Sequence, residues 1–169
     1  MPERVRVAVL AGGRSSEHEI SLASARSVLE ALDPERYDVR QLAIGRDGRW
    51  ELGSGDGSVA ESLPVPAANA PASLGAVDVV LPILHGPFGE DGTVQGLLEL
   101  AGVPYVGAGV AASALCMDKD LFKKVLRDSG LAVARHLALR AGDAVQNPFG
   151  FPCFVKPARL GSSARKARI

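Results

Sequence analysis

Three stretches of this 169-residue chain combine glycine with ionisable side chains in patterns suited to a small ligand. The first is Gly12-Gly13-Arg14-Ser15-Ser16-Glu17. A glycine-rich turn between a strand and a helix usually seats a phosphate, because unpaired N–H groups and the macrodipole favour an anion there. The spacing matches neither G-x-G-x-x-G nor the P-loop, and Glu17 already brings a carboxylate to that position. Two anions would repel. If the turn holds a ligand, the group facing Glu17 should be cationic, such as an ammonium. The alternative is that Glu17 only complements the helix dipole.

The second stretch is His85-Gly86-Pro87-Phe88-Gly89-Glu90-Asp91-Gly92-Thr93, directly after the apolar run Val79–Leu84. In open α/β sheets ligands lie beyond the carboxyl ends of strands. Gly86, Gly89 and Gly92 permit close backbone approach. His85 could donate to a carboxylate or phosphate, or be a structural histidine at a strand end. The third site pairs Lys119 with the run Phe154-Val155-Lys156-Pro157-Ala158-Arg159-Leu160-Gly161-Ser162-Ser163. Two lysines from separate elements could grip a polyphosphate as point charges. Gly161-Ser162-Ser163 offers N–H groups and hydroxyls to its oxygens. Taken alone, Lys119 also fits a solvated helix residue.

These loops need a scaffold. Val5–Leu10 reads as a buried parallel strand, and Tyr37–Ile44 as a second. Between them Ser16 and Glu19 have the spacing of a capping box opening a helix that Asp33-Pro34 ends. Asp47-Gly48 before Trp50–Leu52 predicts a hairpin, and the residues from Gly53 to Gly75 a loop. Val77–Leu84 is the third strand, Thr93–Ala101 a helix, and Val103–Val106 a short strand. Gly107–Ala114 is a small-residue segment. A helix is expected over Asp118–Ser129, then strands at Val133–Leu139 and Phe151–Val155. Alternating strand and helix implies right-handed βαβ units and a parallel sheet. A domain boundary is expected near Ala112–Met117.

Lys plus Arg and Asp plus Glu both total 19, so no basic excess points to nucleic acid or an anionic membrane. No apolar run is long enough to span a bilayer, and the N-terminus lacks a signal-peptide core. Cys116 and Cys153 have no metal-site spacing and read as small buried hydrophobes of a reducing compartment. The cytoplasm is the expected location.

Several pieces appear together in a specific order: Val7-Ala8-Val9-Leu10-Ala11-Gly12-Gly13-x-Ser15-x-Glu17 with Ile20-Ser21, then His85-Gly86-x-x-Gly89-Glu90-Asp91-Gly92-Thr93-x-Gln95-Gly96. Pro104-Tyr105-x-Gly107, Met117-Asp118-Lys119 and Lys156-Pro157-Ala158-Arg159-x-Gly161-Ser162-Ser163 follow. In this the chain resembles the D-alanine–D-alanine ligases. The resemblance implies an α/β fold: a Rossmann-like parallel-sheet N-terminal (pre-ATP-grasp) domain at 1–114, then an incomplete ATP-grasp domain at 115–169. It implies ATP-dependent joining of two D-alanines for peptidoglycan precursors. The carboxylate of one is phosphorylated, and the amine of the second displaces phosphate. Glu17 would hold the first ammonium, with His85 and Gly86 beside the same substrate and Ser162 fixing both. Lys119 and Lys156 would contact ATP phosphates, and Gly161, Ser162 and Ser163 would cover the nucleotide. Catalytic roles fall to Glu17 and Ser162. Mg2+ would bridge the phosphates, with no ligand for it expected in these residues. A homodimer through the first domain is implied by resemblance only.

The tail Ala164-Arg165-Lys166-Ala167-Arg168-Ile169 departs from the family's Val-Gly and strand at that point. It suggests a truncated or frame-shifted ligase. Residues after Leu160 are expected to be poorly ordered, and Leu121, Phe122, Val125 and Leu126 to leave an apolar helix face exposed. Rival readings are a non-catalytic Rossmann-like amino-acid-binding or interaction module, and a related ATP-grasp ligase using D-lactate or D-serine as second substrate. A nicotinamide oxidoreductase is disfavoured because no acidic residue closes Leu42-Ala43-Ile44 for a ribose hydroxyl. The expected outcome for the purified 169-residue chain is no D-alanine-dependent phosphate release from ATP. Turnover above a blank would refute it.

Overall fold

The computed structural model describes residues 3–52, 74–160 and 167–168. The sheet is built around β1 (Val5–Gly12), whose residues from Val7 onward are all buried. Such a strand reads as an unbroken apolar run because both of its faces are covered. It lies parallel to β2 (Tyr37–Ile44), with Val5 opposite Tyr37 and Gly12 opposite Ile44. On the other side it lies parallel to β4 (Val79–Pro82), with Val7 opposite Val79. β3 (Trp50–Leu52) pairs antiparallel with β2, giving the order β3-β2-β1-β4. The hairpin forms at the expected Asp47-Gly48: the Asp47 carboxylate accepts from Arg49 N at 3.0 Å, and Gly48 has φ 87°.

Alternation along β1 divides the core in two. Ala8 and Leu10 face Leu42, Ile44, Trp50, Val80, Val94 and Leu98. Val7, Val9 and Ala11 face Ala25, with Leu22 and Leu29 packed around them. The second layer is supplied by α1 (His18–Ala31), and the first by α2 (Thr93–Leu100). These are helices on opposite faces of a parallel sheet, the α/β architecture the alternation of elements predicts. Among the described residues no helix is long and apolar enough to cross a membrane.

Several expectations are corrected. Ser16 and Glu19 do not cap α1: the residue before the helix is Glu17, with no side-chain cap, and Glu19 pairs instead with Arg46 at 3.0 Å. Ser15 rather than Ser16 is engaged just before the helix, its Oγ accepting from Glu17 N at 3.0 Å. Val103–Val106 contributes a single bridge, Tyr105 to Val80, because Pro104 has no N–H to extend a ladder. The small-residue segment conceals α3 (Val110–Met117). Its alanines and methionine are strong helix formers, a signal that could have been used. It buries only Ser113 and leaves Cys116 exposed; Cys153, near β5, is half-buried, so the two are not the buried pair expected.

α4 (Lys119–Asp128) follows, and Asp118 caps it by accepting from Asp120 N and Leu121 N at 3.1 Å. Leu121 and Val125 are exposed on it, as expected, whereas Phe122 and Leu126 are half-buried. Val133–Leu139 forms no strand, since among the described residues nothing pairs with it. β5 (Phe154–Val155) is shorter than expected and pairs antiparallel with β6 (Ala167–Arg168). Most of the expected 53–75 loop lies outside the described residues, as do 161–166 and 169, where disorder was expected; 167–168, expected to be poorly ordered too, form β6 instead.

At the amino end of the sheet Arg6 grips Asp78 three times, its Nη2 donating at 2.6 Å, its Nε at 3.1 Å and its backbone N at 2.8 Å. The guanidinium and then the backbone N–H hold the Asp78 carboxyl at about 2, from 3.8. A lowered acid contributes stability that is complete above its unfolded value and lost as pH falls through the folded one. Asp78→Asn should therefore flatten the acid limb of the stability curve between about pH 4 and about 2. Chemical denaturation at stepped pH measures it; parallel curves for both proteins would refute the assignment.

Candidate functional site

The carboxyl ends of β1 and β4 open onto two loops, 13–17 and 83–92, and serines of the first loop and of α1 bind them together. Ser21 Oγ accepts from Gly12 N at 2.8 Å and donates to the Ile83 carbonyl. Ser15 Oγ donates to the His85 carbonyl at 2.6 Å. His18 Nδ1 lies 2.7 Å from the Gly13 carbonyl. Gly12 has φ 87°, and a Cβ there would meet the Ile44 carbonyl at 2.5 Å, so strand end and turn admit only glycine.

Glu17 is buried at 7% exposure although it begins a helix. Its Oε2 lies 2.8 Å from where a Cβ on Gly86 would stand, and Ser15 Oγ lies 3.2 Å from it. Gly86, with φ 73°, thus leaves the space into which the carboxylate reaches. Glu90 closes the second loop by accepting from Gly86 N at 2.7 Å. Asp91 accepts from Phe88 N at 2.9 Å and Thr93 N at 3.0 Å. Burial pushes its carboxyl up, but these hydrogen bonds outweigh it and leave the group below the usual carboxylate range. His85 is half-buried, its Nε2 3.2 Å from Ser24 Oγ and its Nδ1 4.0 Å from Glu90.

Lys119 and Lys156 come from α4 and the end of β5. Lys119 Nζ donates to the Leu160 carbonyl at 2.5 Å, and its backbone N donates to Ala158 at 3.0 Å. Asp118 anchors the same segment through Arg159 at 2.8 Å. Partial burial lowers the Lys119 ammonium, and the nearby Lys156 charge lowers it further. Asp118, Glu17 and Glu90 act in the opposite sense. Charges on four elements thus bear on one proton. Lys156 is exposed, its Nζ 5.7 Å from the Phe154 ring centroid. Of the predicted residues, Glu17, His85 and Gly86 adjoin one another, and Lys119 lies within electrostatic reach of Glu17 and of Lys156. Gly161, Ser162 and Ser163 lie outside the described residues. Ser15, Ser21 and Ser24 were not singled out for a role, though Ser21 and Ser24 share a helix face at i, i+3.

The D-ala D-ala ligase N-terminus model matches residues 6–108. The chain belongs to that family. A D-alanine–D-alanine ligase of Mycobacterium sp. (strain JLS) is 50% identical over 200 residues, which covers 99% of this chain and 54% of that protein. The structure of the D-alanine–D-alanine ligase from Coxiella burnetii matches with TM-score 0.84 at 39% identity, covering 99% of this chain and 55% of that one. The Bacillus anthracis D-alanine–D-alanine ligase complexed with ATP matches at 0.71 and 29%, covering 92% and 48%. The chain spans about half the length of the curated relatives it matches. It carries the family's parallel-sheet domain, followed by the opening elements of an ATP-grasp domain.

The fit of Gly86 against Glu17 can be tested by a paired substitution. Gly102 has φ 67° with nothing near a Cβ, so Gly102→Ala should cost only its left-handed backbone, about 1–2 kcal/mol. Gly86→Ala adds a collision with Glu17 and Ser15 and should cost at least about 1 kcal/mol more. Urea titration gives both values; equal losses would show that the two loops separate freely.

Proposed function

We propose that this chain forms the part of an ATP-dependent D-alanine–D-alanine ligase that receives the first D-alanine and begins the nucleotide grip, acting in the cytoplasm for peptidoglycan precursor synthesis. In this reading residues 1–114 are the amino-acid-binding domain and 115–169 the start of the nucleotide-binding domain. It is supported by the match of residues 6–108 to the family's N-terminal model and by the burial of Glu17 against Gly86, with the Lys119 ammonium of the second segment near enough to feel the carboxylates of Glu17 and Glu90. Separate amino-acid and phosphate modules would have no need of that proximity.

Glu17 binds the substrate ammonium. A buried carboxylate backed by Gly86 loses little entropy when a cation arrives. His85 and Gly86 border the same amino acid, placing its carboxylate toward the lysines. Lys119 and Lys156 repel each other across a partly desolvated space, so a polyanion between them relieves that repulsion. The donor set therefore fits the phosphates of ATP. When bound, ATP supplies the phosphoryl group that activates the carboxylate. Gly161, Ser162 and Ser163 complete the reading, with Ser162 steadying Glu17 and the other two covering phosphate. Among the described residues no group of three His, Cys, Asp or Glu side chains is arranged to hold a metal ion such as Mg2+.

The test is D-alanine binding by titration calorimetry with the intact chain and with Glu17→Gln. Loss of a charge-assisted hydrogen bond worth about 1.5–3 kcal/mol should weaken binding by roughly 10- to 100-fold. Equal affinities would remove Glu17 from the ammonium site.

A further inference from the structure

Ser24 stands one turn beyond Ser21 on α1, on the face turned toward the second loop. A serine inside a helix usually bonds back to the carbonyl four residues earlier. Ser27 does so, reaching Ala23 O at 3.5 Å. Ser24 instead reaches across 61 residues of sequence to His85, its Oγ 3.2 Å from Nε2. We propose that Ser24 is a positioning residue, donating its hydroxyl hydrogen to Nε2 and so keeping the proton of the neutral His85 ring on Nδ1.

The opposite edge of the ring decides the direction. Nδ1 faces Glu90 Oε1 at 4.0 Å, and Glu90 is not free to turn away, because its Oε2 holds Gly86 N at 2.7 Å. That separation is too long for a hydrogen bond. It is short enough that a lone pair on Nδ1 would face a carboxylate, whereas an N–H there is attracted to it. With the proton on Nδ1, Nε2 is an acceptor, and Ser24 is its donor. Glu17 beside Gly86, Asp91 within the loop, Arg14 over the Phe88 ring and Lys119 on α4 are other charged groups around this loop.

A ring held in this way offers a ligand a donor and no base. Its partner is then an oxygen, which suits the carboxylate end of an amino acid whose ammonium lies against Glu17. The effect on D-alanine rests on the reading under Proposed function, whereas the placement of the proton rests on the geometry of Ser24, His85 and Glu90 alone.

Long-range proton–nitrogen correlation of the nitrogen-15-labelled chain reads the tautomer directly, at a pH well above the ordinary histidine value of about 6.5. His85 should show a protonated Nδ1 and a bare Nε2. Ser24→Ala should move its signals toward a mixture of tautomers, Ser24→Thr should restore them, and those of His18 and His136 should stay in place. Alanine suits a helix at least as well as serine, so the fold should persist. D-alanine affinity should fall about fivefold in Ser24→Ala, as for one lost hydrogen bond, and recover in Ser24→Thr. A His85 tautomer unchanged by Ser24→Ala overturns the proposal. A shifted tautomer with unchanged D-alanine affinity upholds Ser24's role and overturns instead the placement of His85 beside the amino acid.

Discussion

The site depends on the joint between the carboxyl ends of β1 and β4. Parallel strands leave their last N–H and carbonyl groups unpaired where the chain turns away, and a buried unpaired group costs about 1–3 kcal/mol. Ser21, fully buried, answers both ends with one hydroxyl, accepting from Gly12 and donating to Ile83. The loops that carry Glu17 and His85 begin within a few residues of those two contacts. Their separation is therefore set by a hydrogen-bonded serine rather than by loop length. A glycine at position 12 is part of the same constraint, because any side chain there would strike the second strand's terminal carbonyl.

On that joint the charges are sorted by distance from the sheet. The carboxylate of Glu17 lies deep, at a helix start where the dipole tolerates it without a side-chain cap. The carboxylates of Glu90 and Asp91 are occupied by backbone N–H groups of their own loop, which fixes the loop's shape. The lysines arrive from outside, on a segment anchored by Arg159 against Asp118 and by Lys119 against two carbonyls. In the proposed reading this order of deep anion and outer cations matches an amino acid, a small dipole, from ammonium to carboxylate. The arrangement needs no charge excess in the chain as a whole, consistent with equal counts of acidic and basic residues.

How far the sequence reveals this depends on the range of each interaction. β1, β2, the hairpin and both faces of the sheet were legible because burial imposes a period that the residue types must follow. The proposal that the first loop suits a cation rests on Glu17 alone, since electrostatics at a helix terminus is local. The capping of α1 was misread: Ser15 and Ser16 look alike in sequence, and only the contact with the His85 carbonyl, 70 residues away, shows which serine is engaged. Ser24 was invisible for the same reason, having no local partner. Val133–Leu139 has the composition of a strand, but strand formation is a property of pairs, and a sequence window contains only one member.

The two loops are joined a third time at their outer rim, and the energies there explain an otherwise costly backbone. Phe88 has φ 69°, a conformation that costs a residue with a side chain about 1–2 kcal/mol. Arg14 from the first loop lies over its ring at 4.9 Å, a contact worth about 0.5–1 kcal/mol at an exposed site. That alone does not offset the strain. The bond from Phe88 N to Asp91, charge-assisted and worth about 1.5–3 kcal/mol, covers the difference. The aromatic ring is therefore held outward by the loop's own carboxylate, and the arginine takes a platform already in place. Asp91 also accepts from Thr93 N at the start of α2, so one carboxylate sets both the rim of the site and the helix behind it.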